Sequence, residues 1–225
     1  MSADELGYVH RWEPAPAPGA GVPTLLLLHG TGGDENDLVP LGKMLLPNAA
    51  MLSPRGNVLE RGMPRFFRRF SEGVFDVEDV KLRAAELAAF VGAASKKYGF
   101  ASDSVIAVGF SNGANIAGAV LLLTPGTLRA AVLFRAQDVL GTAGLGLGLG
   151  LGRKSEMGTP VFLAGGESDP IVPREETEKL ATRLRESGAK VTLHWEDAVH
   201  SIARGDIDAA SKWLADLKWG VGNGA

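Results

Sequence analysis

Cysteine is absent from the 225 residues, which rules out a disulfide framework, thiolate chemistry and any cysteine-based metal site. An excess of positive charge is missing too. The net charge is −3 and the pI near 5.8, so there is no electrostatic case for nucleic acid, which needs a basic face or stripe. Long apolar runs are also lacking. The uncharged, glycine-rich stretch Val139 to Gly152 is 14 residues, short of the roughly 18 needed to span a bilayer. Stable membrane insertion is therefore not expected. The N-terminus, Met1-Ser2-Ala3-Asp4-Glu5-Leu6, lacks the basic and apolar regions of a signal peptide, and a cytoplasmic location is the expectation.

What is present is ordinary globular usage, 45% hydrophobic and 22% charged, in a chain long enough for a substantial core. Pro14 to Gly19 reads as an extended linker after a short strand near Tyr8 to Trp12, which makes 1–21 an N-terminal strand and proline-rich segment. Thr24 to Leu28 is a continuous apolar run, as expected of a parallel strand buried on both faces. Similar runs recur at 49–52, 105–108, 130–134, 161–164 and 191–193. Helical spacing joins Val80, Ala84, Leu87, Ala88 and Val91, with Gly99 in the stopping position. Further helices fit Thr177, Leu180, Ala181 and Leu184, and then Ile207, Ala210, Leu214 and Leu217. Strands alternating with helices predict an α/β fold, with a mostly parallel central sheet and helices on both faces, in a single domain over 1–225.

Two segments break this rhythm. Residues 57–74 interleave Phe66, Phe67 and Phe70 with Arg61, Arg65, Arg68 and Arg69, and read as a cap segment. Residues 141–154 contain a strict glycine–leucine alternation that reads as a loop. Its Gly-x-Gly spacing lacks the strand, helix and acidic residue that a dinucleotide site requires.

The chemistry centres on Gly109-Phe110-Ser111-Asn112-Gly113, between an apolar run and a helical pattern. A serine on a tight strand-to-helix turn is presented as a nucleophile. Twelve serines and 30 glycines would supply about 0.2 such matches by chance, so partners must carry the argument. A serine hydroxyl needs a base, and the base needs an acid; in a doubly wound hydrolase these follow in the chain order serine, acid, histidine. Only His194 and His200 lie downstream. His194 falls inside an apparent strand, whereas His200 follows it and can reach the carboxyl edge. Asp169 follows a strand directly; Glu167 and Asp197 are weaker acids, and Asp169 could merely cap the next helix. An oxyanion hole would use the N–H of Asn112 and that of Thr31 in the glycine-rich His29-Gly30-Thr31-Gly32-Gly33 loop, where His29 reads as a structural brace.

Taken in order, His29-Gly30-Thr31-Gly32-Gly33 with Glu35, Asp37 and Leu38, then Gly109 to Asn115, Asp169 to Pro173 and His200 resemble the phospholipase/carboxylesterase family of α/β-hydrolases. The similarity runs from about Leu25 to Leu217 and looks nearest to the small bacterial carboxylesterases, with acyl-protein thioesterases more distant. It implies an α/β-hydrolase fold, Ser111, Asp169 and His200 as the triad, and the Thr31 and Asn112 amides as the oxyanion hole. It also implies action on carboxylic esters or thioesters with no metal and no cofactor. Arg55, Gly56, Phe66 and Phe67 fall where such enzymes shape the substrate pocket. Two departures stand out: Val199 replaces the usual glycine before the histidine, and the glycine–leucine tract replaces a more ordinary loop.

The expected function is a serine hydrolase cleaving short-chain esters through an acyl-enzyme on Ser111. The alternatives are a thioesterase or lysophospholipase for long acyl chains, using Phe66, Phe67 and Phe70, and a hydrolase-fold protein that binds a small ligand without turnover. The partner is a small-molecule ester, and a homodimer is left open.

Overall fold

The computed structural model describes residues 6–17, 21–141 and 158–217. Seven strands form the main sheet: β1 (His10–Glu13), β2 (Thr24–Leu28), β3 (Ala50–Pro54), β8 (Val105–Phe110), β9 (Ala130–Phe134), β10 (Pro160–Gly166) and β11 (Lys190–Glu196). Their spatial order is β1-β3-β2-β8-β9-β10-β11. Every pairing is parallel except β1 with β3. The six strand positions expected from the apolar runs, and the N-terminal strand expected near Tyr8 to Trp12, are all occupied.

Five helices flank this sheet: α1 (Val39–Leu45), α2 (Val77–Tyr98), α3 (Asn112–Leu123), α4 (Arg174–Glu186) and α5 (Arg204–Asp216). The strand period of two divides the core. Leu26 and Leu28 of β2 and Val105 and Ala107 of β8 point toward α2, α3 and α4. Leu25, Leu27, Ile106 and Val108 point to the opposite face, against α1 and α5. Continuous burial of all five residues of β2 follows from covering both faces. At α2 the Asp76 side chain accepts the Asp79 N–H (3.2 Å), and Gly99 ends the helix at φ 73°.

The cap segment forms two small antiparallel ribbons, β4 (Val58–Glu60) with β5 (Met63–Arg65), and β6 (Arg69–Ser71) with β7 (Val74–Phe75). The glycine–leucine alternation, and all of the expected 141–154 loop except Gly141, lies outside the described residues. Among the described residues, no helix is long and apolar enough to cross a membrane.

From β2 the chain steps outward to β3, which lies next to the edge strand β1, and then crosses to β8 and onward on the other side. The loops leaving the carboxyl ends of β2 and β8 therefore diverge at a topological switch point, where open α/β sheets bind ligands. Leu28 pairs with Gly109, so the His29–Gly33 loop and Ser111 leave the sheet side by side.

Candidate active site

Ser111 occupies the one-residue turn between β8 and α3, with φ 51° and ψ −116°. A non-glycine residue with positive φ costs of order 1–3 kcal/mol and persists only where its surroundings enforce it. Here they do. The Ser111 N–H donates to Phe134 O (2.9 Å), and its carbonyl accepts the Asn115 N–H (2.8 Å). A Cβ on Gly109 would lie 2.6 Å from the Ala114 backbone, and one on Gly113 would collide with the Leu28 carbonyl. Both glycines of the motif are thus required by close backbone approach.

His200, in the loop between β11 and α5, places Nε2 2.8 Å from Ser111 Oγ and Nδ1 2.8 Å from Asp169 Oδ2. An ionised carboxylate only accepts, so Nδ1 carries the proton and Nε2 faces the serine hydroxyl as acceptor. Asp169 follows β10, and its side chain is fully buried. Its second oxygen accepts the N–H groups of Ile171 (2.8 Å) and Val172 (3.0 Å). The turn-forming role and the imidazole-orienting role are therefore shared between two oxygens of one carboxylate. Helix α4 itself starts from Pro173 without a side-chain cap. The competing residues sit elsewhere. Glu167 is exposed and pairs with Arg174 at 3.2 Å, Asp197 is exposed, and His194 stacks on Phe162 within the sheet.

The loop carrying His200 is anchored by a residue the sequence reading passed over. Arg135 follows β9 with φ 55°, and its side chain is fully buried. Its guanidinium meets both Asp206 oxygens (3.1 and 2.6 Å), Ala164 O (3.3 Å) and, through Nε, the carbonyl of Val199 (3.2 Å). Asp206 also accepts the Ala203 N–H at 2.8 Å, fixing the start of α5. The only signal in the sequence is a lone arginine at the end of an apolar strand. Val199 is held by its carbonyl, although the residue is 54% exposed. Among the described residues, His194, Glu196 and Asp206 bring three metal-type donors within 4.8 Å. Because Arg135 occupies both Asp206 oxygens, a metal cation there would face a guanidinium, and the group reads as an ion-pair network.

On the other side of Ser111, the amides of Gly32 and Gly33 bond to Pro64 O (2.9 Å) and Gly30 O (3.1 Å), so neither is this loop's donor and the Thr31 amide stays a candidate. Asn112 is the first residue of α3, where helical N–H groups have no intrahelical acceptor. His29 braces the loop as anticipated. The Gly56 N–H donates to Nε2 (2.9 Å), so Nδ1 carries the hydrogen and donates to Gly30 O (2.6 Å). This is a neutral imidazole, and burial holds its pKa below the ordinary histidine value.

The four residues expected to shape the pocket all make structural contacts. Arg55 is turned to Glu35 in a bidentate pair (2.6 and 2.8 Å). Gly56 is pressed against the Arg65 backbone, where a Cβ would collide. Phe66 and Phe67 are 1% and 0% exposed and belong to the main core, whereas Phe70 is 75% exposed. Two consecutive phenylalanines are both buried because Phe66 packs on His29 while Phe67 packs on Phe75.

Comparison with known proteins agrees with this architecture. The family described as phospholipase/carboxylesterase matches residues 18–218. MhqD of Bacillus subtilis (strain 168), whose name assigns it provisionally to the hydrolases, is 43% identical over 196 residues, covering 85% of this chain and 92% of that protein. The crystal structure of the Bacillus cereus carboxylesterase superposes with a TM-score of 0.80 at 40% identity, covering 91% of this chain and 92% of its own. A carboxylesterase from Mesorhizobium loti gives 0.77 at 30% identity, covering 87% and 89%.

Two outcomes follow from the buried groups. Replacing Arg135 by Met strands the Asp206 carboxylate and should cost about 3–5 kcal/mol in urea denaturation, with part regained in Arg135→Met/Asp206→Leu. A loss below about 1 kcal/mol would mean that water already reaches this pair. Since His29 has a depressed folded pKa, the unfolded chain binds more protons as pH falls below about 6.5, and stability present above that value is lost toward acid. His29→Gln should show a shallower stability loss between about pH 6.5 and 5 than the wild type. Parallel curves would refute the neutral assignment.

Proposed function

Because this chain belongs to the phospholipase/carboxylesterase family, a family of hydrolases, we propose that it cleaves short-chain carboxylic esters through an acyl-enzyme on Ser111. The observation carrying this reading is the unbroken hydrogen-bonded chain from Asp169 through His200 to Ser111, at 2.8 Å in each step, on a strained strand-to-helix turn. Ser111 Oγ attacks the ester carbonyl while His200 Nε2 takes its proton. Asp169 keeps the imidazole in the required tautomer and balances the imidazolium. Negative charge on the carbonyl oxygen is received by the Thr31 and Asn112 amides. Collapse expels the alcohol, protonated by His200, and water then repeats the sequence on the acyl-enzyme.

The short-chain preference is supported by the state of the cap. Phe66 and Phe67 are spent on packing, so they do not offer an acyl channel. Three of the cap arginines are engaged internally: Arg65 and Arg69 with Glu60, and Arg68 with Asp76 and Asp79. They are not free for an anionic head group. The long-chain alternative draws on one specific feature, the exposed apolar residues Leu59, Met63, Phe70 and Val74 along the two ribbons.

Ser111→Ala should lower p-nitrophenyl butyrate hydrolysis by roughly 10³-fold or more, and should abolish labelling by a fluorophosphonate probe. Equal rates would remove Ser111 from the mechanism; an unlabelled wild-type protein would favour ligand binding without turnover. Across the C2, C4 and C12 nitrophenyl esters, kcat/KM should be highest at C2 or C4. A maximum at C12 would transfer the assignment to long acyl chains.

A further inference from the structure

We infer, on the reading of Ser111 as nucleophile, that Pro64-Arg65-Phe66 at the end of β5 braces the oxyanion hole, with Arg65 the positioning residue for its Thr31 half. Three consecutive residues reach both proposed amide donors. The Pro64 carbonyl accepts the Gly32 N–H (2.9 Å), immediately after Thr31. Arg65 Nη1 donates to Thr31 Oγ1 at 2.7 Å. The Phe66 N–H donates to the side-chain carbonyl of Asn112 at 2.7 Å.

The need for such a brace is physical. The two amides belong to different elements, one in a loop after β2 and one at the start of α3. Asn112 is fixed by its helix and by the Phe66 contact. Thr31 stands between Gly30 and Gly32, and glycine neighbours give a loop little intrinsic stiffness. Threonine carries its hydroxyl on Cβ, so anchoring Oγ1 restrains χ1 and leaves the adjacent peptide plane little freedom. A donor displaced by a fraction of an ångström loses most of its advantage for a charge that forms only in the transition state.

The brace is itself anchored. Arg65 is 3% exposed, its Nε lies 3.2 Å from both Phe67 O and Glu60 Oε2, and its guanidinium covers the Phe67 ring at 5.6 Å. Burial, with Arg69 nearby, lowers its pKa to about 10, which leaves it charged at neutral pH. Gly56 packs on its backbone and is tied through its N–H to His29 at the root of the same loop. A lysine would keep the charge but cannot reproduce a planar fork that reaches Thr31, Phe67 O and Glu60 together.

The test uses steady-state kinetics with p-nitrophenyl butyrate and inhibition by a trifluoromethyl ketone, whose hemiketal oxyanion mimics the tetrahedral intermediate. Thr31→Val removes the anchored oxygen at an exposed position while keeping the backbone amide, and Arg65→Lys removes the fork. Each should lower kcat about tenfold, below the 10²–10³ expected for deleting a donor outright, with KM within about twofold. Ketone affinity should fall by the same factor as kcat. The double variant should be no worse than the more damaged single one, because both act on one contact. Wild-type kcat in Thr31→Val, additive losses, or a raised KM with kcat intact would overturn the brace. If Arg65→Lys fails to fold, Thr31→Val alone decides. The outcome is separable from the proposal above: an inactive Ser111→Ala with an unaffected Thr31→Val removes the brace alone, whereas an active Ser111→Ala removes the mechanism on which it rests.

Discussion

The site depends on one crowded crossing, where the start of α3 lies so close to the end of β2 that Gly113 faces the Leu28 and His29 carbonyls with no room for a methyl group. That contact sets the height of α3 above the sheet and forces the turn before it into a left-handed conformation. Ser111 is held there through backbone bonds to Phe134 and Asn115, not through its side chain. The hydroxyl is consequently left for His200. The same crossing brings the start of α3 beside the loop leaving β2, so that Ser111 and the proposed Thr31 and Asn112 donors share one corner of the sheet.

Around this corner the protein uses two kinds of scaffold. The imidazole side rests on a desolvated ion pair: Arg135 and Asp206 have no exposed side-chain surface, and their hydrogen bonds join β9, β10, the His200 loop and α5. Such a pair contributes less net stability than its short distances suggest, because both ions were taken from water. Its value is geometric, since it fixes a loop that has no regular structure of its own. The amide side rests on the cap ribbons, which touch the loop after β2 at Gly32 and Thr31 and the helix at Asn112. A segment that resembles a lid by its place in the chain is thus hydrogen-bonded into the frame.

Legibility in the sequence followed the strength of periodic signals. Leu25 to Leu28 and Val105 to Val108 announced buried parallel strands because both faces of the sheet are covered, and the chain order of Ser111, Asp169 and His200 then located one edge. The seven-residue helix α1 was not legible: it is too short for a helical period, and Pro40 obscures its start. Nor were the cap ribbons, whose strands of two or three residues cannot display alternation. The burial of Phe66 and Phe67 was not legible, because adjacent aromatics flanked by arginines suggest a surface; packing on opposite neighbours buries both. Arg135 was hidden for the converse reason. A charge at the end of an apolar strand ordinarily marks the exit to solvent, and only Asp206, far along the chain, reverses that meaning.

The valine beside the imidazole illustrates what this division of labour permits. The loop is gripped at the peptide carbonyl of residue 199, an atom every amino acid supplies, while the side chain projects into solvent. Because the grip is on the backbone, glycine or valine at residue 199 would offer Arg135 the same carbonyl. Such a position is slack placed one residue from the imidazole, where a change in bulk or polarity would alter what approaches His200 while the carbonyl grip stays as it was.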